Sequence, residues 1–456
     1  MAVNYTKKVA DFVVETSYGA IPPKALEVAK VALMDCLGVT LAGSHETGSR
    51  ICAQLVREEG ANRKATVIGQ GFKSSALMAA FANGTAAHAL DYDHSALMGQ
   101  PTAGLIPSIF SLAETLQRNG RELLEAYVSG FEITVKLACS MPALSSQGNW
   151  HSTATLGSLG AAVACAKLLR LDSTRVQTAL GIASSMASGI VWNFGTMTKP
   201  LHAGLAARNG VLAAKLAKDG FTANPLILEG TSGFFNVFSR DLPYELEPLN
   251  SLGSSYELVE RGVKIKAYPC GGLTHCAIDA ALEMRAQHRI TSETIDEIKV
   301  GVTQYTYDRI IYRIPETGLQ GKFSMPYILA RALIDGKLGL ETFTDEAVRD
   351  SGVHRLAEKI HMEVDPDVNG KREGDNPCKV VIRLKDGRTF SRRVDYPKGS
   401  PQAPLTPQEL REKFVECAGR ALNEKAVSQA LEYIDRLEGL DDLEPLCKLL
   451  MGKDSS

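Results

Sequence analysis

Apolar residues recur at helical spacing through the first half of the chain. Residues 4–18 form one amphipathic pattern. Ile21-Pro22-Pro23 then turns into a longer one over KALEVAKVALMDCLGVTLAG, with Pro23 where the first turn of a helix tolerates a missing N–H. Helices are predicted over 48–59 and 75–87, with ATVIG at 65–69 a short extended piece between them. RELLEAYVSGFEITVKLACS, TATLGSLGAAVACAKLLRL and DSTRVQTALGIASSMAS carry the helical pattern onward, with Asp172 or Ser173 as N-cap of the last. So many small residues let helices approach closely, which points to a compact helical domain.

The pattern changes near residue 263. The β-branched runs VKIKAY, EIKVGVTQYTY and CKVVIRLKDGRTFSRRV read as strands, the last folded into a hairpin at Lys385-Asp386-Gly387-Arg388. Between them lie helical stretches at 274–286 and 322–336, and after the breaker cluster Pro397-Lys398-Gly399-Ser400-Pro401 helix returns from Thr406 to Met451. The predicted fold is mainly α: a large all-helical domain, 1–262 plus 402–456, with a smaller lid-like α+β domain, 263–401, inserted into it. A chain of 456 residues, two to three times a usual domain, accommodates such a division.

One stretch breaks the helical pattern with polar chemistry. HALDYDHSALMGQPTAGLIP, from His88 to Pro107, sets His88, Asp91, Asp93, His94, Ser95 and Gln100 between two alanine-rich apolar runs. Polar groups at the ends of buried helices are costly unless they are satisfied or used. The bland alternative is that the aspartates cap the next helix and the histidines fill the core.

Composition narrows the field. A 45% hydrophobic, 22% charged chain of net charge −2 is ordinary globular protein and argues against nucleic acid as a partner. The nine cysteines are scattered singly with no CxxC pair, as expected of reduced core thiols. The N-terminus lacks the apolar core of a secretory signal, and no apolar run reaches the ~18 residues of a membrane span. The reading is therefore a soluble cytoplasmic protein that does not engage a membrane.

Three further segments carry candidate chemistry. Gly148-Asn149-Trp150-His151-Ser152-Thr153 leads a histidine into a helix N-terminus, where an anion would meet free N–H groups, unless Ser152 or Thr153 merely caps. Lys199 precedes Pro200, which biases it away from helix, at the mouth of an alanine-rich helix. It is either a carboxylate clamp or base, or a snorkelling surface lysine. Lys266 and His275 flank the Gly271-Gly272 turn, an ordinary strand-turn-helix link if they have no shared role. His88, Asp91, Asp93 and His94 are also metal-ligand types, so a metal site is an alternative reading, though a helix through 91–94 would leave Asp93 off the shared face.

Taken together, the blocks resemble the MmgE/PrpD family, which includes 2-methylcitrate dehydratase, cis-aconitate decarboxylase and iminodisuccinate epimerase. The resemblance runs through HALDYDH, WHSTATLGSLGAA, KPLHAGLAARNGVLAAKLAKDGF, KAYPCGGLTH, KFSMPYILARAL, LKDGR, PKGSP and PLTPQEL in that order. It implies a homodimer with a site in a cleft between two domains, acting on small di- or tricarboxylates without metal, flavin or nucleotide. Carried over by position, catalytic groups fall on Asp91, His151, Lys199 and Lys266. Substrate-binding groups fall on Ser95 and Tyr327, beside His94, Gln100 and His275 from the same blocks. Two departures stand out: Gln100 replaces a histidine before the proline of the first block, and Cys270-Gly271 replaces a histidine after the proline of the fourth. Glutamine cannot shuttle a proton at neutral pH, which weakens decarboxylation most. The reading is a hydro-lyase that removes the α-proton of a 2-methylcitrate-like acid. The alternatives are an epimerase or racemase sharing the first step, and a family member that binds polycarboxylates without turnover.

Overall fold

The computed structural model describes residues 3–97, 99–370 and 376–452. The chain divides into two compact units, Met1–Val263 with Thr406–Ser456, and Lys264–Leu405. The first is built of helices: α1 (Tyr5–Glu15), α2 (Pro23–Gly43), α3 (Thr47–Glu59), α4 (Ala76–Ala89), α5 (Thr102–Leu116), α6 (Gly120–Ser140), α7 (Ser152–Leu168), α8 (Ser173–Met186) and α9 (Thr198–Lys218). A two-stranded hairpin, β1 (Ala65–Val67) and β2 (Phe72–Ser74), is the extended piece expected near ATVIG. Among the described residues no helix is long and apolar enough to cross a membrane.

Local rules set the helix starts. Ser75 caps α4 by accepting from the Met78 N–H, Asp172 caps α8 through the Arg175 N–H, and Asn119 with Glu122 forms a reciprocal capping box on α6. Small residues then set how closely the helices cross. A side chain at Gly84 of α4 would meet the Ala203 carbonyl at 2.9 Å, and one at Gly204 of α9 would strike the Thr85 hydroxyl, so only glycine permits this crossing. That crossing brings the end of α4 beside the start of α9. The C-terminal segment returns to this unit: Phe414, on the helix Pro407–Ala418, is buried and closes against the backbone at Gly38 of α2.

The second unit holds a four-stranded sheet ordered β4-β3-β5-β6, from β3 (Ile295–Val302), β4 (Ile360–Val364), β5 (Cys378–Leu384) and β6 (Thr389–Val394). β3 runs parallel to β4 and antiparallel to β5, and β5 and β6 form the expected hairpin, with Gly387 at φ 88° in its turn. Helices His275–His288 and Met325–Asp335 pack against this sheet and against each other.

Several sequence expectations change here. Residues 263–268 form no strand; Lys264 is an isolated bridge position and Ile265 donates its N–H to the Gly399 carbonyl. The strand begun by EIKV stops at Val302, because Thr303 caps a helix over Gln304–Arg309 through the Thr306 N–H. β4 was not anticipated, since in IHMEV only Ile360 is fully buried and the strand lacks a strong apolar face. The C-terminal helix is three helices, Pro407–Ala418, Glu424–Asp435 and Glu444–Leu450.

Candidate active site

Six polar side chains converge inside the first unit. His88 ends α4, Asp91 and Asp93 lie in the bend that follows, His151 caps α7, and Lys199 and His202 stand three residues apart on the first turns of α9. Each is 5 % exposed or less. Lys199 lies within α9 despite Pro200, because the N–H that proline lacks would be unpaired in a first helical turn anyway. Asp91 sits in left-handed backbone, φ 51°, which turns its carboxylate back toward α9.

The contacts fix the protonation pattern. Both Asp93 oxygens lie 2.9 Å from His88 Nδ1, so that nitrogen carries the proton and donates it to the carboxylate. His88 Nε2 is then a lone pair, and it accepts from Lys199 Nζ at 3.0 Å; the same ammonium donates to Asp91 Oδ1 at 2.6 Å and lies 5.2 Å from the Phe194 ring centre. Lys199 is therefore held as a compensated ammonium. With the histidines neutral, one lysine faces two aspartates, so the expected cationic clamp for an anion is not what this cluster provides by itself.

His151 is the least satisfied member. Its Nδ1 is 3.0 Å from His202 Nδ1, its ring stacks on His88 with centres 5.6 Å apart, and it meets Phe194 edge-on. Its Nε2 is buried with no hydrogen-bond partner among the described residues. One of the two facing Nδ1 atoms must carry the proton. If His151 carries it, its Nε2 is a bare lone pair. Burial, aided by Lys199, His88 and His202, pushes the His151 imidazolium well below its ordinary range; burial with His88 and Lys199 pushes His202 down to about 4. Burial likewise lowers His88, with Asp93 opposing.

A pH consequence follows for stability. Unfolded His202 titrates near 6.5 and folded His202 near 4, so as pH falls the unfolded chain takes up the proton first. Stability present above pH 6.5 is thus lost progressively down to about 4. Urea unfolding at about pH 7.5 and about pH 5 should show this loss, and His202→Gln should lose less between the two.

Three of these groups, His88, Asp91 and Asp93, also offer ligand atoms within 4.8 Å of one another. Residues 91–94 form a bend rather than a helix, so a helical face does not set Asp93 apart from the other ligand types. The Lys199 ammonium already donates to Asp91 Oδ1 at 2.6 Å and to His88 Nε2 at 3.0 Å, so a cation bound through those two atoms would have to displace it.

A second buried network pins the same bend. Asp35 of α2 accepts from the His94 backbone N–H and from His94 Nδ1 at 2.8 Å, while His94 Nε2 meets the Thr102 hydroxyl, itself 2.7 Å from the Tyr127 hydroxyl. Lys413, from the C-terminal segment, pairs with Asp35 at 2.6 Å and donates to the Tyr92 carbonyl. Burial works to raise the Asp35 carboxyl, but Lys413 and His94 overcome it and hold it below the usual range. Both ring nitrogens of His94 are thereby occupied, which makes it a support for the bend rather than a substrate ligand.

The other expected residues divide by unit. Gln100 joins the cluster's edge: its N–H donates to Thr153 Oγ1, whose hydroxyl donates to Gln100 Oε1 at 2.9 Å, tying the bend to the start of α7. Ser95 is half-buried beside the Ala96–Gly99 turn. Lys266, His275 and Tyr327 belong to the second unit and are all buried there. His275 meets the Tyr268 ring edge-on and its Nε2 lies 3.4 Å from the Cys270 carbonyl. Tyr327 donates its hydroxyl to the Thr342 carbonyl and accepts from Arg331, so its polar end is already committed. His202, Asp35, Thr102, Tyr127 and Lys413 were not singled out from sequence. The Lys199/His202 spacing, one helical turn, and the lone Asp35 inside an apolar run were readable signals; Lys413 left none.

Fold and cluster together define a helical scaffold that assembles a buried set of titratable groups from distant segments. The chain belongs to the MmgE/PrpD family: the MmgE/PrpD N-terminal domain matches residues 7–247 and the MmgE/PrpD C-terminal domain residues 268–438. It is 31% identical to cis-aconitate decarboxylase of Mus musculus over 93% of this chain and 88% of that protein. It is 30% identical to the Homo sapiens cis-aconitate decarboxylase over 99% and 95% respectively. A 2-methylcitrate dehydratase of Salmonella typhimurium is 24% identical, over 86% of this chain and 85% of that protein.

Proposed function

We propose that the chain is a cofactor-independent lyase that removes a proton beside a carboxylate of a small di- or tricarboxylate and expels the hydroxyl from the neighbouring carbon, as in the dehydration of 2-methylcitrate. The observation that carries this reading is the buried Nε2 of His151 with no hydrogen-bond partner, on a ring kept neutral by its surroundings. A neutral imidazole accepts a proton, and dehydration and epimerisation both begin by giving it one. A base so strongly depressed is weak in the empty site, but an anionic substrate beside it raises its proton affinity as the reaction begins. Lys199, held protonated between Asp91 and His88, is the acid that delivers a proton to the departing hydroxyl. The negative charge that develops on the substrate lies near this ammonium and the N-terminal end of α7.

Decarboxylation of a cis-aconitate-like acid is the second reading, favoured by 30–31% identity to decarboxylases against 24% to a dehydratase. Its proton event is donation to a carbanion, a poor match to a neutral His151, and Gln100 cannot take that part. Incubation with 2-methylcitrate and cis-aconitate in separate reactions, followed by proton NMR, distinguishes the two. Loss of water from the hydroxy acid with a new vinylic or allylic signal supports the proposal. Carbon dioxide release from cis-aconitate with the hydroxy acid untouched replaces it by decarboxylation.

A further inference from the structure

Away from the histidine cluster, a cleft of about 500 Å³ opens between α3 and the β1–β2 hairpin. Arg50, Gln54 and Arg57 line it from α3, where positions i, i+4 and i+7 share one face. Gln70 and Phe72 line it from the hairpin side, and His45 from the turn after α2. The described lining residues include two arginines and a histidine and no carboxylate.

On the Arg57 side the wall is held by contacts. The Arg57 guanidinium stacks 4.4 Å from the Phe72 ring centre and donates to the Gln70 carbonyl at 3.3 Å, while Gln70 donates its amide to the Ser44 carbonyl at 2.7 Å. Ordering a guanidinium in advance removes part of the entropy cost of gripping an oxyanion. His45 Nε2 is buried with no hydrogen-bond partner among the described residues. An unpartnered buried polar atom costs free energy unless something satisfies it. The surroundings of His45 are cationic on more than one side: burial, then Arg50 of α3, then Arg420 of the C-terminal segment push its imidazolium below the ordinary range. Glu58, the nearby acid further along α3, accepts from the Gln54 amide at 2.7 Å.

We propose that this cleft binds a small oxyanion ligand carrying more than one negative charge, either a polycarboxylate or a phosphate, gripped by Arg50 and Arg57 in the cleft that His45 also lines. Bidentate guanidinium bonds suit both chemistries, and the cleft has room for a citrate-sized molecule. The site is independent of the reaction assigned to the histidine cluster, and it stands or falls separately.

The test reads His45 itself. Histidine-selective carbon labelling of the full-length chain, with the His45 resonance assigned by its absence in His45→Gln, is followed during titration with citrate and with inorganic phosphate at fixed ionic strength, chloride serving as control. At least one of the two anions should shift the His45 resonance saturably and raise its apparent pKa. Arg50→Gln combined with Arg57→Gln should weaken that binding by about tenfold or more while leaving the far-ultraviolet spectrum unchanged. Response to citrate alone identifies a polycarboxylate ligand, and response to phosphate alone a phosphate ligand. The proposal is overturned if neither anion moves His45 beyond the chloride control, or if the double variant binds as tightly as wild type.

Discussion

Lys199→Met is expected to lower turnover by about a thousandfold and to destabilise the chain by about 3 kcal/mol. The activity loss follows because the Lys199 ammonium donates to both Asp91 and His88, and methionine donates nothing. The stability loss has a different cause. Asp91 and the His88 lone pair would be left buried opposite an apolar chain, and removing one partner of a buried ion pair costs more than the pair contributes. The causes separate in the double variant Lys199→Met with Asp91→Asn, where the buried charge is gone. Denaturant unfolding should recover most of the lost stability, and steady-state kinetics should recover none of the lost turnover. Parallel recovery of both would assign Lys199 a purely structural part.

His151→Asn is expected to lower kcat by about a hundredfold to ten-thousandfold, with stability held within about 1 kcal/mol of wild type. Asparagine can put an amide atom where His151 Nδ1 faces His202, preserving that contact. It removes the Nε2 that has no partner to lose. A large kinetic effect with a small effect on folding is the signature of a group kept for chemistry, unlike Lys199, where turnover and stability are both expected to fall. Unfolding curves and kcat measured on the same preparation check both halves.

Much of this organisation is legible in the amino-acid sequence, for identifiable reasons. The helices α4 and α9 are legible because their apolar, small-residue pattern is long and uninterrupted, and the change of architecture after Val263 because β-branched runs replace it. His151 and Lys199 stand out as polar residues at the starts of apolar helices, where burial without use is costly. What the chain hides is pairing across distance. That Lys413 reaches Asp35 and the Tyr92 carbonyl, 321 residues back, depends on how the C-terminal segment folds onto α2. That Lys199 is compensated by Asp91 depends on a single left-handed residue in the bend. Residue type alone presents Lys199 as a carboxylate clamp or base and His94 as a substrate ligand. Partner geometry shows the first paired with Asp91 and His88, and the second with both ring nitrogens bonded to Asp35 and Thr102. The strand misreadings share one cause: 263–268 and 303–307 are β-branched or aromatic, but a tight turn and a threonine cap decide their conformation locally.

Deuterium wash-in is the most direct test of the claim that a neutral His151 removes the substrate's α-proton. Wild type, Lys199→Met and His151→Asn are each incubated with 2-methylcitrate in heavy water, and deuterium at the carbon beside the carboxylate is followed by NMR. The account predicts label entering with wild type, slow elimination but continuing label entry with Lys199→Met, and no label above background with His151→Asn. Label entering at the wild-type rate with His151→Asn would contradict it, because the proton would then be leaving to some other base.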